Sequence, residues 1–235
     1  MRKLIIPAIA LAAAVGGASS ALPRRSAAGA VDPASFTHPV ANPYFPLTPG
    51  LVLRYRGSED GEHFREVVRV TARHLTIQGV RTTIVHDVVR RADGSIAEKT
   101  ADFYAADNTG KVWYFGENTA TYDEDGTLES HEGSWRAGVH GAVAGTIMPA
   151  HPRPTDAYRQ EFLRGQAEDQ AWIVSRGARL RVPAGRFTHV VRSFEWSRLE
   201  PRVVSVKLYA PGVGIVAERD VAGGNERFVL VSISR

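Results

Sequence analysis

Apolar and polar residues alternate along most of this chain in short runs, each closed by a turn built on Gly, Asn or Asp. Few architectures besides an antiparallel sheet accept that pattern. Residues 51–55 give way to Glu59-Asp60-Gly61, residues 64–76 to Gln78-Gly79, and residues 82–91 to Ala92-Asp93-Gly94. Residues 96–105, 111–117 and 128 onward follow, introduced by Asp107-Asn108-Thr109-Gly110 and Asp123-Glu124-Asp125-Gly126. Primed hairpin turns need positive φ, which Gly and Asn adopt at little cost, so these phrases predict hairpins in series. Strands are expected again over 157–163, 171–175, 179–182, 190–196, 203–209, 214–219 and 227–233. No helical period longer than a dozen residues interrupts them after the leader.

Parity sharpens the expectation. A sheet with one wet face places apolar residues at every second position. Here Phe103-Tyr104-Ala105, Val112-Trp113-Tyr114-Phe115, Gly214-Ile215-Val216-Ala217 and Phe228-Val229-Leu230-Val231 are apolar at both parities. Both faces of those strands must be covered. A meander curled into an open or nearly closed barrel, hollow or filled, meets that demand. Residues 136–157 break the rhythm with Gly138, Gly141, Gly145, Pro149, Pro152 and Pro154, and are read as one long irregular loop capping a mouth. Asn42-Pro43-Tyr44-Phe45-Pro46-Leu47-Thr48-Pro49-Gly50 is too rich in proline for helix or ladder, so Tyr44, Phe45 and Leu47 are expected to plug one end of the core.

The N-terminus reads as an export signal. Arg2 and Lys3 precede an apolar run from 4 to 15, and small residues lead to a cut near Ala21. The expected division is therefore 1–21 signal peptide, 22–41 flexible leader and 42–235 a single β domain, with no transmembrane anchor in the mature chain. That places the protein outside the cell or in its envelope. The chain has no cysteine, which excludes a disulfide scaffold, a thiol nucleophile and a lipidated cysteine. Its formal charge of +4 is local, because all four basic residues before Val31 (Arg2, Lys3, Arg24, Arg25) lack acidic company. The remainder is balanced, and basic residues cluster no further than pairs such as Arg90-Arg91, so no nucleic-acid partner is expected.

Three phrases carry a resemblance. Asn42-Pro43-Tyr44-Phe45-Pro46-Leu47 with Gly50 and Tyr55, Val182-Pro183-Ala184-Gly185-Arg186-Phe187, and Tyr209-Ala210-Pro211-Gly212-Val213-Gly214-Ile215-Val216 resemble exported bacterial β proteins of the DUF3108-like group. The curled sheets of that group are similar to those of LolA-type lipoprotein carriers. The resemblance covers the start, middle and end of the domain and finds no counterpart for 102–169. It implies a curled sheet, an exported compartment and an apolar ligand.

Aromatic and acidic residues concentrate between 102 and 135. Trp113, Tyr114, Phe115, Trp135 and Tyr158 are candidate walls of a cleft, with Asp102, Glu117 and Gln160 to orient a ligand. The competing reading is an ordinary hairpin core with its carboxylates solvated at strand ends. Gln160 lies between Tyr158 and Phe162 on one strand face and needs a hydrogen-bond partner, expected to be a backbone group. His131, His140 and His151 fall in or beside the irregular stretch, and their spacings of nine and eleven match no compact metal motif. Solvated loop histidines are the simplest account of them. Asp123-Glu124-Asp125-Gly126-Thr127 reads as an acidic turn rather than a calcium loop. Nucleophile-elbow, phosphate-loop and dinucleotide signatures are missing, so no cofactor is expected.

The reading that follows is a secreted barrel-like protein binding a small apolar or aromatic molecule, or a lipid, without covalent chemistry. The rival is a secreted enzyme of hydrolase, lyase or cyclase type in the same cleft. In it His140 or His151 serves as base and Asp102, Glu132 or Glu161 as carboxylate partner, with or without a metal ion. A third reading is an envelope interaction module with no pocket. Oligomeric state is not legible.

Overall fold

The computed structural model describes residues 31–235. The expected signal peptide, and the leader as far as residue 30, lie outside the described residues. From there the chain forms a 3-10 helix (Pro33–Phe36) and fifteen strands. These are β1 (Val52–Glu59), β2 (Glu62–Ile77), β3 (Val80–Arg91), β4 (Ile96–Ala106), β5 (Val112–Tyr122), β6 (Leu128–Ser130), β7 (Trp135–Arg136) and β8 (Val143–Met148). They continue as β9 (Ala157–Arg159), β10 (Glu161–Phe162), β11 (Asp169–Val182), β12 (Gly185–Ser197), β13 (Val204–Ala210), β14 (Gly214–Ala222) and β15 (Arg227–Ser234).

All ladders are antiparallel, and thirteen strands follow one path: β10-β8-β5-β4-β3-β2-β1-β15-β14-β13-β12-β11-β9. The two ends of that path are β10 and β9, separated in the chain by Gln160 alone. The sheet therefore curls until its edges meet and leaves one unsealed seam. Gly145 on β8 lies at the seam, where a Cβ would meet the Gln160 carbonyl oxygen at 2.3 Å. Only glycine lets the edges approach so closely. Curling follows from the parity pattern: it buries one face of each strand without a second sheet.

The tight hairpins behave as their sequences predict. Asp60 and Gly61 between β1 and β2, and Gln78 and Gly79 between β2 and β3, all have positive φ. The irregular stretch 136–157 contains one strand that its Ala-Gly-Thr composition conceals: β8 pairs with β5 on one side and β10 on the other.

The outer cover demanded by β5 comes from the N-terminal segment. Asp32 caps the 3-10 helix by accepting from the Ala34 amide at 3.0 Å. Asn108, in the β4–β5 turn, then ties the segment down through the Ala34 carbonyl and the His38 amide. This sets the Phe36 ring edge-on to Trp113 at 6.0 Å and to Phe115 at 5.7 Å. Phe115 is fully buried, on the outside of the barrel. Residues 31–41, the described part of the expected leader, thus lie against the sheet.

Candidate functional site

Inside the barrel the lead-in segment acts as a plug. Asn42 donates to the carbonyls of Gly110 and Pro149, and Tyr44 donates from its hydroxyl to the His189 carbonyl. Phe45, Pro46 and Leu47 are thereby held inward, where they join Leu51, Leu53 and Val213 in lining a cavity of about 130 Å³. An aromatic series continues from the plug. Phe45 meets Tyr104 edge-on at 4.9 Å, Tyr104 stacks on Tyr114 at 4.6 Å, and Tyr114 meets Trp135 edge-on at 5.3 Å.

The remaining lining is charged, and one-sidedly so. Seven carboxylates face the cavity: Glu66 on β2, Asp87 on β3, Asp102 on β4, Glu161 on β10, Asp169 on β11, Glu195 on β12 and Glu218 on β14. Lys207 on β13 is the only basic residue in the lining. Its Nζ lies 3.4 Å from both Glu195 Oε2 and Glu218 Oε1.

Burial decides the charge states. Glu195 is the ionised member: burial opposes its charge, but Lys207 and hydrogen bonds from Ser193, Tyr209 and Gln160 outweigh it and hold the carboxyl below its usual range. For Lys207, burial likewise opposes the charge and is outweighed by Glu218 and Glu195, so the ammonium is held firmly. Elsewhere burial prevails. It pushes Glu66 up to about 8, and Asp102, Asp169 and Glu218 up to about 7. Asp87 and Glu161 are raised well above the carboxylate range by burial and then by a carboxylate neighbour, Glu66 for the former and Asp169 for the latter. Glu66 with Asp87, and Glu161 with Asp169, are carboxyl pairs in hydrogen-bonding contact. Two carboxylates so close cannot both ionise, so each pair holds a proton.

Some of this acid depends on the shared proton. Asp87 Oδ1, Glu161 Oε2 and Asp169 Oδ1 are sealed from solvent, and once both carboxyls of a pair are ionised none of the three has a hydrogen-bond partner. The residues that carry the last two are 2 % and 8 % exposed. Buried acceptors in this state are costly unless a proton, water or ligand satisfies them.

The residues singled out from sequence separate into four groups. Asp102, Tyr114, Gln160 and Glu161 line the cavity, and Tyr114 donates to Asp102 Oδ1 at 2.6 Å. Glu117, Trp135 and Tyr158 lie next to it without lining it. Glu117 is 3 % exposed and accepts from Thr119, Trp135 packs on Tyr114, and the Tyr158 hydroxyl is buried without a partner. Trp113 and Phe115 are on the outer face, where the Trp113 indole donates to Asp107 at 2.9 Å and lies under the Lys111 ammonium. Glu132, His140 and His151 are exposed and do not line the cavity. Gln160 takes a side-chain partner rather than the expected backbone one, donating to Glu195 Oε2 at 3.0 Å.

One backbone feature explains the mixed fate of β5. Gly116 has φ +136°, and a Cβ there would strike the Trp135 carbonyl. The register slips beside it, so Asp102 faces Glu117 while Tyr104 faces Tyr114. This bulge turns Tyr114 and Glu117 to the same side although an odd number of positions separates them.

Among the described residues no set of three or more His, Cys, Asp or Glu is arranged to hold a metal ion, and no helix is long and apolar enough to cross a membrane. No family model matches the chain, and no curated protein does. Two solved structures are similar in overall arrangement. One is a protein proposed to be exported, with a YmcC-like fold, from Bacteroides fragilis: 15% identity, 83% of this chain, all of that chain and a TM-score of 0.47. The other is a proposed lipoprotein from Parabacteroides distasonis: 14% identity, the same coverage and a TM-score of 0.44.

Proposed function

We propose that this is an exported binding protein whose interior takes a small organic cation, an amine carried on one apolar or aromatic ring. The observation that supports this most is the imbalance of the cavity wall, seven carboxylates to one lysine, with sealed oxygens on Asp87, Glu161 and Asp169 that have no partner once their pairs ionise. An ammonium group would donate to those oxygens and replace the protons that burial now forces on them. The apolar part of the ligand would lie against Phe45, Leu47 and Leu51, with the faces of Tyr104 and Tyr114 adding cation–π attraction. Size narrows the class. A cavity of about 130 Å³ is close to the ~150 Å³ void that holds a benzene ring and below the ~300 Å³ of a drug-sized site, so one ring suits it better than a whole lipid.

Benzylamine and benzyl alcohol make a matched pair of probes. Calorimetric titration at pH 7.5 is expected to give binding of the amine at least about tenfold tighter than the alcohol, with the preference lost in Asp169→Asn and Glu161→Gln. Equal affinity for both probes would leave a purely apolar site, and no binding of either removes the reading.

Catalysis is the second reading. Its specific support is that two carboxyl pairs share protons and that Asp102 and Asp169 titrate near neutrality, which suits general acid–base work. The carboxyl groups carry that reading, because His140 and His151 are outside the cavity lining.

A further inference from the structure

The outer wall of six consecutive strands in the sheet path, β14-β15-β1-β2-β3-β4, is covered with basic side chains that are scattered in the sequence. Register aligns them. Arg219 faces Arg227 across β14 and β15, and Arg227 lies beside Ser58, which faces His63. One row further, Arg56 faces Arg65, and Arg65 faces Arg90. In the next row Arg54 faces Val67, Val67 faces Val88, and Val88 faces Lys99. In the last, Arg69 faces His86. All eight Arg and Lys residues are exposed, and no carboxylate occupies an outward position in these four rows.

Like charges directly opposite each other weaken a sheet slightly, and Arg56–Arg65–Arg90 sets two such pairs in series with no carboxylate between them. Among the described residues Arg56, Arg65 and Arg69 take part in no ion pair. Arg56, Arg65 and Arg227 with His63 also rim a depression of about 590 Å³ with Gly57 and Val229 in its lining, so the wall has a socket as well as a charge.

We infer that this wall docks on the surface of an anionic phospholipid bilayer, with one headgroup phosphate in the depression between Arg56, Arg65 and Arg227. Two features favour a membrane over a soluble polyanion. The charges are spread in two dimensions, roughly 20 Å each way from strand spacing and rise, where an extended polymer would engage a single row. At the crest of the curled wall, Arg54 and Arg56 on β1 and Arg65 and Arg69 on β2 can each take a phosphate of a planar array, with the flanking strands adding longer-range attraction. The inference is independent of what the interior binds.

Vesicle co-sedimentation tests it. The protein should pellet with vesicles of phosphatidylcholine containing phosphatidylglycerol, remain in solution with phosphatidylcholine alone, and be released as NaCl is raised from 0.1 to 0.5 M. The variant Arg56→Gln, Arg65→Gln, Arg90→Gln should bind roughly a hundredfold more weakly, while Arg176→Gln with Arg179→Gln, on exposed β11 positions, should bind as the wild type does. Circular dichroism checks that the triple variant folds, and Arg65→Gln alone, expected several-fold weaker, replaces it otherwise. Binding to both vesicle types alike, binding to neither, or full binding by these variants overturns the inference. So does retention on heparin or duplex DNA without vesicle binding, which would assign the wall to a soluble polyanion.

Discussion

On β2, Glu66 points into the cavity and Arg65 points to solvent; on β3 the pair is Asp87 and Arg90, and on β14 it is Glu218 and Arg219. The inner wall gathers acid and the outer wall gathers base, on the same strands, within a chain whose acidic and basic residues balance beyond its N-terminal segment. Net charge therefore says nothing about either surface, because a period of two sorts neighbouring charges to opposite faces. The two walls also differ in what their charges cost. Inside, desolvation makes each uncompensated charge expensive and sets protonation; outside, water screens repulsion to a small penalty.

The largest expected effect lies at Lys207, the one cation of the cavity lining. Lys207→Met leaves Glu195 and Glu218 without their ammonium and is expected to lower folding stability by about 3–5 kcal/mol at pH 7, read from urea unfolding. Arg65→Gln removes a charge of the same sign from the outer face and should change stability by less than about 0.5 kcal/mol, toward stabilisation, since it relieves Arg56 and Arg90. If the two variants cost the same, the walls do not differ as described.

The pH dependence separates the walls by an intermediate amount. Carboxyls raised on folding keep protons that the unfolded chain releases, so their contribution is complete below the ordinary carboxyl range. It is lost as pH rises toward the folded values, about 7 for Asp102, Asp169 and Glu218 and about 8 for Glu66. Glu195 acts oppositely and loses its contribution only in stronger acid. The free energy of unfolding should therefore fall between pH 5 and pH 8, by up to about 1.4 kcal/mol per pH unit for each carboxyl. Glu66→Gln should flatten that slope, whereas Arg65→Gln should leave it unchanged.

Legibility in the sequence follows the same division. Hairpins at Asp60-Gly61 and Gln78-Gly79, the two-sided cover of β5 and the inward Phe45 and Leu47 are local consequences of φ preference, parity and proline, and each is readable from a few adjacent residues. The acidic interior is not local: seven strands give one carboxylate each, register brings Glu66 to Asp87, and closure of the seam brings Glu161 to Asp169. A signal existed nonetheless, since Glu66 interrupts Phe64, Val68 and Val70 at their own parity, and Asp87 stands between Val85 and Val89. A charge at an apolar position of a strand marks a lined interior. Trp113 and Phe115 read as cleft walls because aromatic content does not say which face is outside, and the bulge at Gly116 changes the face assignment of everything after it. The basic wall was hidden for the converse reason, with its residues contributed by β1, β2, β3, β4, β14 and β15.

The most direct test is the proton count of cation binding. Benzylamine titrated calorimetrically at pH 6.5 in two buffers of different ionisation enthalpy should release close to one proton per molecule bound, drawn from carboxyls near Asp169 and Asp102. Binding with no proton released, or uptake of one, would contradict an interior whose acids are held neutral until a cation replaces their protons.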